Sequence, residues 1–199
     1  MHRFRLERFG TRIDEVLLVT DEQQRVRALD FGDYHERMLR LLRLHYGADA
    51  IALVEHDDPA SPPSRARQAL EAYFAGDLNA LDGLEVETGG TPFQRQVWSE
   101  LRNIPVGQTL NYGQLAERIG RPTAVRAVGH ANGANPVGIV VPCHRVIGSN
   151  ASLTGYAGGV HRKHWLLTHE GVPNVKAPSM REQRPSAPQT DERGQTSEA

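Results

Sequence analysis

One thiol is present among the 199 residues, Cys143, and its neighbours in the chain are an imidazole, His144, and a guanidinium, Arg145. A thiol reacts as its thiolate, with an unperturbed pKa of about 8.5, so a nucleophilic cysteine needs cationic groups, a base or oriented donors close by. His144 and Arg145 are of the right types. A single cysteine read without its neighbours is a small buried hydrophobe more often than a nucleophile, and that reading competes with the reactive one here. One cysteine also means no intramolecular disulfide and no multi-cysteine zinc site. If an extended Ile139–Val141 continued through the motif, residues 143 and 144 would point to opposite sides, and contact between them would need a turn or a bridging water. Pro142 favours such a departure from regular strand.

The elements around the thiol follow from periodicity and punctuation. Gly138 to Arg145 has the composition of a buried strand that delivers Cys143 to a defined place. A glycine-rich loop follows (Gly148, Gly155, Gly158, Gly159), then a helix from Val160 to His169 that Gly171 and Pro173 terminate. Upstream, Thr91 caps a helix with Pro92 at its first position and Phe93, Val97, Leu101 and Ile104 on one face. Tyr112 to Ile119 and Thr123 to about Asn132 are two short helical patterns joined by Gly120-Arg121-Pro122, a helix-turn-helix pattern that also occurs in proteins that never touch DNA.

Nearer the N-terminus, Val16–Thr20 and Val26–Phe31 flank the polar Asp21–Arg25 and predict a hairpin. Asp33–Tyr46 carries Tyr34, Met38, Leu41, Leu42 and His45 at helical spacing, stopped by Gly47. A polar loop, Asp57 to Pro63, leads to Ser64, an N-cap for a helix bearing Ala66, Leu70, Tyr73 and Phe74 and ending near Gly76. Leu84 to Gly90 has the composition of a connection, and a domain boundary is placed there. The expected organisation is an N-terminal domain at 1–87, a second domain at 88–173 and a disordered tail at 174–199, whose proline-rich polar composition lacks apolar content.

Charge supports the same division. Residues 1–87 hold 11 Lys/Arg against 17 Asp/Glu, whereas residues 88–173 hold 8 against 3 together with five of the nine histidines. The net charge of −1 therefore conceals an acidic half and a basic half, and the basic half suits a polyanion. With 39% hydrophobic and 24% charged residues, wholesale disorder is excluded, and no apolar run approaches the roughly 18 residues of a membrane span. Residues Met1 to Gly10 lack the central apolar block of a secretory signal, so a cytoplasmic location is expected.

The residues also carry a family likeness. Pro142-Cys143-His144-Arg145-Val146, preceded by Arg126-Ala127-Val128-Gly129 and Asn135-Pro136, resembles the DNA repair methyltransferases that remove alkyl groups from the O6 atom of guanine. The match continues through Leu153-Thr154-Gly155-Tyr156-Ala157-Gly158-Gly159 and Trp165-Leu166-Leu167 to His169-Glu170-Gly171, collinear over roughly residues 91 to 173. The first half is similar to that family's N-terminal domain only loosely, in size, hairpin and the stretch Ala72-Tyr73-Phe74-Ala75-Gly76.

The resemblance implies an α+β fold: a small sheet-and-helix, RNase H-like N-terminal domain and a mostly helical C-terminal domain containing a helix-turn-helix. It makes Cys143 the alkyl acceptor, His144 the group that deprotonates it through a water, and Glu170 the orienter of His144. Asn135 matches a residue bracing the active-site turn, and Tyr112 one that donates toward the guanine. Read alone, Asn135 is a turn residue, Glu170 a solvated helix-end charge and Tyr112 a core aromatic. Arg126 matches a residue that fills the space left by a flipped base, on a DNA-facing helix that includes Thr123 and Ala127. Small residues on that helix (Ala124, Ala127, Gly129, Ala131, Gly133) suit close approach to the backbone or helix packing equally. Tyr156, Ala157 and Gly158, with Val146 and Arg145, are implied to form the substrate pocket.

The implied partner is double-stranded DNA containing alkylated guanine, met by a monomer. No cofactor and no metal are implied, since the alkyl group comes from the DNA and stays on the protein. O4-alkylthymine, the preferred alkyl size and cooperative binding along DNA stay open. Asn150-Ala151-Ser152 departs from the family, which often places a glycine there. Two rivals remain: a non-catalytic alkyl-lesion-binding protein of the same fold, which Cys143 with His144 and Glu170 disfavours, and a cysteine hydrolase, which the basic half disfavours.

Overall fold

A computed structural model describes residues 1–56, 62–153, 155–175 and 177. The expected tail thus lies almost wholly outside the described residues, as do most of the 57–63 loop and Thr154.

The N-terminal half is a four-stranded sheet of β1 (His2–Gly10), β2 (Glu15–Asp21), β3 (Val26–Phe31) and β4 (Ile51–Glu55) in the order β3-β2-β1-β4. The β2–β3 hairpin is present, closed by Asp21, whose carboxylate accepts from the Gln23 and Arg25 amides. Two strands were not foreseen. β1 pairs antiparallel with β2 and parallel with β4. Successive side chains of a strand point to opposite faces, and both faces of this sheet are covered. Leu17, Val19, Phe4 and Leu6 face Met38 and Leu42 of α1 (His35–Tyr46), whereas Val16, Leu18, Leu29 and Phe31 face the main core. α1 carries the chain from the β3 edge to the β4 edge. α2 (Arg65–Ala75) starts at Ser64, whose hydroxyl accepts from the Arg67 amide, and stops at Gly76 in the left-handed region. It buries Ala66, Leu70, Tyr73 and Phe74.

The second half packs onto that face. α3 (Pro92–Leu101) opens with a capping box between Thr91 and Gln94, and α4 (Tyr112–Arg118) with one between Asn111 and Gln114. α5 (Val125–Gly133) and α6 (Val160–His169) complete the helices, and the two-residue strands β5 (Leu110–Asn111) and β6 (Val146–Ile147) pair in parallel. The sheet reaches across to meet them. The Leu29 amide donates to the Pro136 carbonyl and the Gly138 amide to the Leu29 carbonyl, each at 2.9 Å, so the turn before Cys143 is pinned to β3. The buried core is continuous from Phe9 to Leu166 across both halves.

The strand expected through Gly138–Val141 is not formed. The Val140 amide donates to Gly138 at 2.7 Å, Val141 to Val137 at 3.0 Å and Cys143 to Val141 at 2.8 Å, and Ile139 has φ +66. These are consecutive tight turns. An apolar run signals burial without specifying how the backbone satisfies itself, and here Asn135 does that work. Its side-chain carbonyl accepts from the Val137 amide at 3.0 Å, and its amide donates to the Val141 carbonyl at 2.8 Å. A β-branched residue at positive φ is an outlier that surrounding structure must hold, which is typical of functional turns.

Candidate active site at the junction of the two halves

A single turn of 3-10 helix, Cys143–Arg145, presents the motif. Cys143 is 5% exposed and opens onto a small cavity shared by both halves, with Leu29 and Phe31 of β3 opposite Asn135, Tyr156 and Gly158. The turn resolves the strand problem: Cys143 and His144 both face inward, and His144 is fully buried.

Behind the thiol lies a charged cluster. His144 Nε2 is 2.9 Å from Glu170 Oε1. The same carboxylate accepts from Arg145 Nε at 2.8 Å, from Arg145 Nη2 at 2.9 Å and from the Tyr73 hydroxyl at 2.8 Å. Burial acts to raise the Glu170 carboxyl, but His144 and Arg145 outweigh it and hold the group far below the usual carboxylate range. Glu170 is therefore ionised and can only accept, which puts the imidazole proton on Nε2 and the lone pair on Nδ1. That Nδ1 is buried without a hydrogen-bond partner among the described residues.

Burial pushes the His144 pKa down against the pull of Glu170, so the ring is a neutral base. Burial likewise pushes the Cys143 thiol up, opposed by the Asn135 side chain and by the charges of Arg37 and Lys163. Lys163, itself lowered by burial to about 8, donates to the Val146 carbonyl at 2.6 Å. The resting pair is thus a protonated thiol beside a neutral imidazole oriented by a carboxylate. That arrangement can generate a thiolate by proton transfer through a relay.

The structure brings together Cys143, His144, Glu170 and Asn135, with Tyr156, Ala157 and Gly158 on the cavity wall. Tyr112 is partly buried close enough to Cys143 for a thiolate there to raise its hydroxyl further, after burial has done so. Arg126 and Ala127 are exposed in the first turn of α5, whereas Thr123, expected within that helix, is exposed in the turn before it. Two pocket assignments are corrected. Arg145 points away from the cavity, into Glu170 and the Ile104 carbonyl, and Val146 also lies outside its lining. The guanidinium goes where a buried carboxylate needs it. The small residues of α5 divide by face: Ala131 is buried, and its carbonyl accepts from the Trp98 indole at 2.8 Å, whereas Ala127 is open.

Sequence reasoning missed what the N-terminal half contributes. Tyr73, expected as a core aromatic in a stretch loosely like the family's first domain, donates to Glu170 from 97 residues away. Arg37 of α1 pairs with Asp30 at 2.5 Å and donates to the Gly133 and Asn135 carbonyls, so α1 also holds the bracing turn. No local signal marks contacts made only by tertiary packing.

Comparison with known proteins identifies the family. Residues 92–172 match the family described as 6-O-methylguanine DNA methyltransferase, DNA binding domain. Methylated-DNA–protein-cysteine methyltransferases of Shigella flexneri and Salmonella typhimurium are 52% and 54% identical over 171 residues, 86% of this chain and 98% of each relative. The crystal structure of Mycobacterium tuberculosis OGT in complex with DNA superposes with a TM-score of 0.65 at 33% identity, covering 86% of this chain and 96% of that one. The O6-methylguanine-DNA methyltransferase of Pyrococcus kodakaraensis gives a TM-score of 0.62 at 28% identity, over 85% and 99%. With more than half of the aligned residues identical over nearly the full length of such relatives, the chain belongs to the methylated-DNA–protein-cysteine methyltransferase family.

Proposed function

We propose that this protein repairs DNA by moving the alkyl group from O6 of an alkylated guanine onto its own Cys143, once per molecule. Sγ attacks the alkyl carbon, the S–C bond forms as the C–O6 bond breaks, and guanine leaves as its anion. The thiol proton passes through a water to His144 Nδ1, and Tyr112 donates toward the departing base. A thioether is a poor leaving group, so the acceptor is spent. The observation that carries this reading is the His144–Glu170 bond of 2.9 Å, which turns the free lone pair of Nδ1 into the base beside a buried thiol.

The DNA side of the reading rests on exposure and charge. An O6 substituent is hidden in stacked duplex, so the base must be flipped into the cavity. α4, the turn after it and α5 are read as a helix-turn-helix entering the minor groove, where degenerate readout suits repair in any sequence. Arg126 would fill the vacated space, with Thr123 and Ala127 against the backbone. The sheet order β3-β2-β1-β4, with only β4 parallel to its neighbour, supports an RNase H-like N-terminal domain at 1–87 joined to a catalytic domain at 88–173. No described helix is long and apolar enough to cross a membrane, and a DNA substrate suits the cytoplasm.

The test is to incubate the protein with duplex containing O6-methylguanine and weigh the peptide that bears Cys143. One methyl per protein is expected. A chain that binds the lesion but gains nothing would be a non-catalytic lesion binder. Cys143→Ala should abolish transfer and retain DNA binding; loss of both would mean the substitution had damaged the fold.

A further inference from the structure

Part of the cavity wall, at Gly158, is bare backbone. Gly158 lies flush against its neighbours: a Cβ there would meet Tyr156 at 2.6 Å and the Phe31 ring at 3.0 Å. The loop that carries it also contains Gly155 and Gly159, both at positive φ, so its own backbone is easily moved. Something must hold it in place, and no side chain caps the N-terminus of the following helix.

Arg162, in the first turn of α6, meets that need. Its guanidinium is buried at 4% residue exposure and makes contacts on both sides of the junction. Nη1 donates to the Gly158 carbonyl at 2.9 Å and pairs with Asp33 at 3.0 Å. Nη2 and Nε reach one oxygen of Asp14, at 2.6 and 3.1 Å. The plane lies over the Phe31 ring, 4.4 Å from its centroid. Asp14 sits in the connection between β1 and β2, and Asp33 in the 3-10 turn Gly32–Tyr34 just after β3. A single planar fork therefore ties the pocket wall to two anchors on the sheet and to Phe31, which itself lines the cavity.

We propose that Arg162, anchored by Asp14 and Asp33, is a specificity-determining positioning residue: it sets how far the Gly158 wall stands from Cys143, and so the size of alkyl group the acceptor site takes. The inference rests on the alkyl-transfer reading of Cys143. It gives the N-terminal half a part in substrate choice, because the acids that fix the wall belong to the sheet. With the fork removed, the wall relaxes outward; a methyl group loses little, since it needs little room, whereas a bulky group gains access.

Single-turnover transfer is measured on two duplexes, one with O6-methylguanine and one with O6-benzylguanine, for wild type, Arg162→Met, Arg162→Lys and the double variant Asp14→Asn, Asp33→Asn. Arg162→Met keeps the stem and removes the fork. The double variant works from half-exposed acids and leaves the core intact, so it decides the matter if Arg162→Met does not fold. The expected result is a benzyl-to-methyl rate ratio raised by about 10-fold, the scale by which a hydrophobic pocket separates substrates by size, with the methyl rate within about 3-fold of wild type. Arg162→Lys, which can keep one anchor, should fall between. Equal falls on both substrates, or an unchanged ratio in the double variant, would overturn the inference and leave Arg162 a structural residue. A wild type that takes up no alkyl group would instead overturn the transfer reading, and this inference with it.

Discussion

Tyr73→Phe tests whether the two halves share one catalytic apparatus. Among the described residues, the Tyr73 hydroxyl is one of four donor contacts on the Glu170 carboxylate and the only one from the N-terminal half. Phenylalanine fills the same space and leaves the ring contacts with Phe74 and His169 in place, so the substitution removes a hydrogen bond without opening a cavity. Tyr73 is fully buried, and a hydrogen bond to a charged group contributes about 1.5–3 kcal/mol. For a chain of this size, a loss of about 2 kcal/mol lowers Tm by about 4–8 °C. The pH dependence has a definite sign. Glu170 is held below its unfolded value, so its stabilisation is complete above pH of about 4.3 and is lost as pH falls through the folded pKa. The gap in Tm between wild type and variant should therefore be full at pH 7 and shrink in acid. Because the His144 and Arg145 bonds survive, the tautomer survives, and methyl transfer to Cys143 should slow by less than about 10-fold, or about 1.4 kcal/mol. Thermal unfolding and single-turnover transfer on the same preparation decide it. An unchanged Tm at pH 7 would refute the assigned hydrogen bond, and abolished transfer in a folded variant would show that Tyr73 acts in the chemistry itself.

Three further outcomes are expected. Burial holds His144 below the ordinary imidazole value of about 6.5, so transfer should stay on its plateau at pH 6.5 and decline only in more acid solution; a half-maximal pH at or above 6.5 would contradict a neutral buried base. By the same sign, His144 binds fewer protons folded than unfolded, so stability should fall as pH drops below about 6.5. Ala151 has φ +60, and replacing it with glycine should add about 1 kcal/mol and raise Tm by about 2–4 °C with transfer unchanged; a lower Tm would refute the strain. Arg126→Ala should slow repair of duplex by about 10-fold while leaving reaction with free O6-benzylguanine within about 2-fold, since only flipping, which costs a few kcal/mol, is impaired. Equal losses on both would count against a flipping role.

What was legible in the sequence was what is local. Ser64 before α2, Thr91-Pro92 before α3 and Gly47 after α1 act through their own backbone neighbours, and each marks its helix end where it stands, whereas α1 begins two residues after Asp33 and α3 stops at Leu101, short of Ile104. The departure at Asn150-Ala151-Ser152 was legible only against the family pattern, and the structure adds that Ala151 is the residue of the three at positive φ. β1 was not legible, because its alternating arginines and phenylalanines become a strand only when β2 and β4 pair on either side. The apolar run before Cys143 indicated burial correctly and conformation wrongly, since Asn135 supplies the hydrogen bonds a neighbouring strand would have supplied. The grouping of His144 with Glu170 behind Cys143 was legible through the motif. Tyr73, Arg37 and Arg162 act across the junction, and nothing nearby in the chain marks them.

The direction of the pKa shifts bears on why one cysteine suffices. A cysteine protease-like ion pair would hold a thiolate beside an imidazolium at rest, and such a thiolate would be open to oxidants and stray electrophiles. Here burial acts on both partners in the sense that opposes charge separation, raising the thiol and lowering the imidazole. The arginine of the motif does not relieve this, because it turns to Glu170 rather than to the sulfur. Glu170, saturated by Tyr73 and Arg145, accepts from His144 without taking its proton, so the base is oriented and stays neutral. On this reading the thiolate forms only as the alkyl carbon arrives, when charge passing to the guanine offsets the charge that burial disfavours. A chain with no second thiol to regenerate the first gains from a nucleophile that is silent until its substrate is in the cavity.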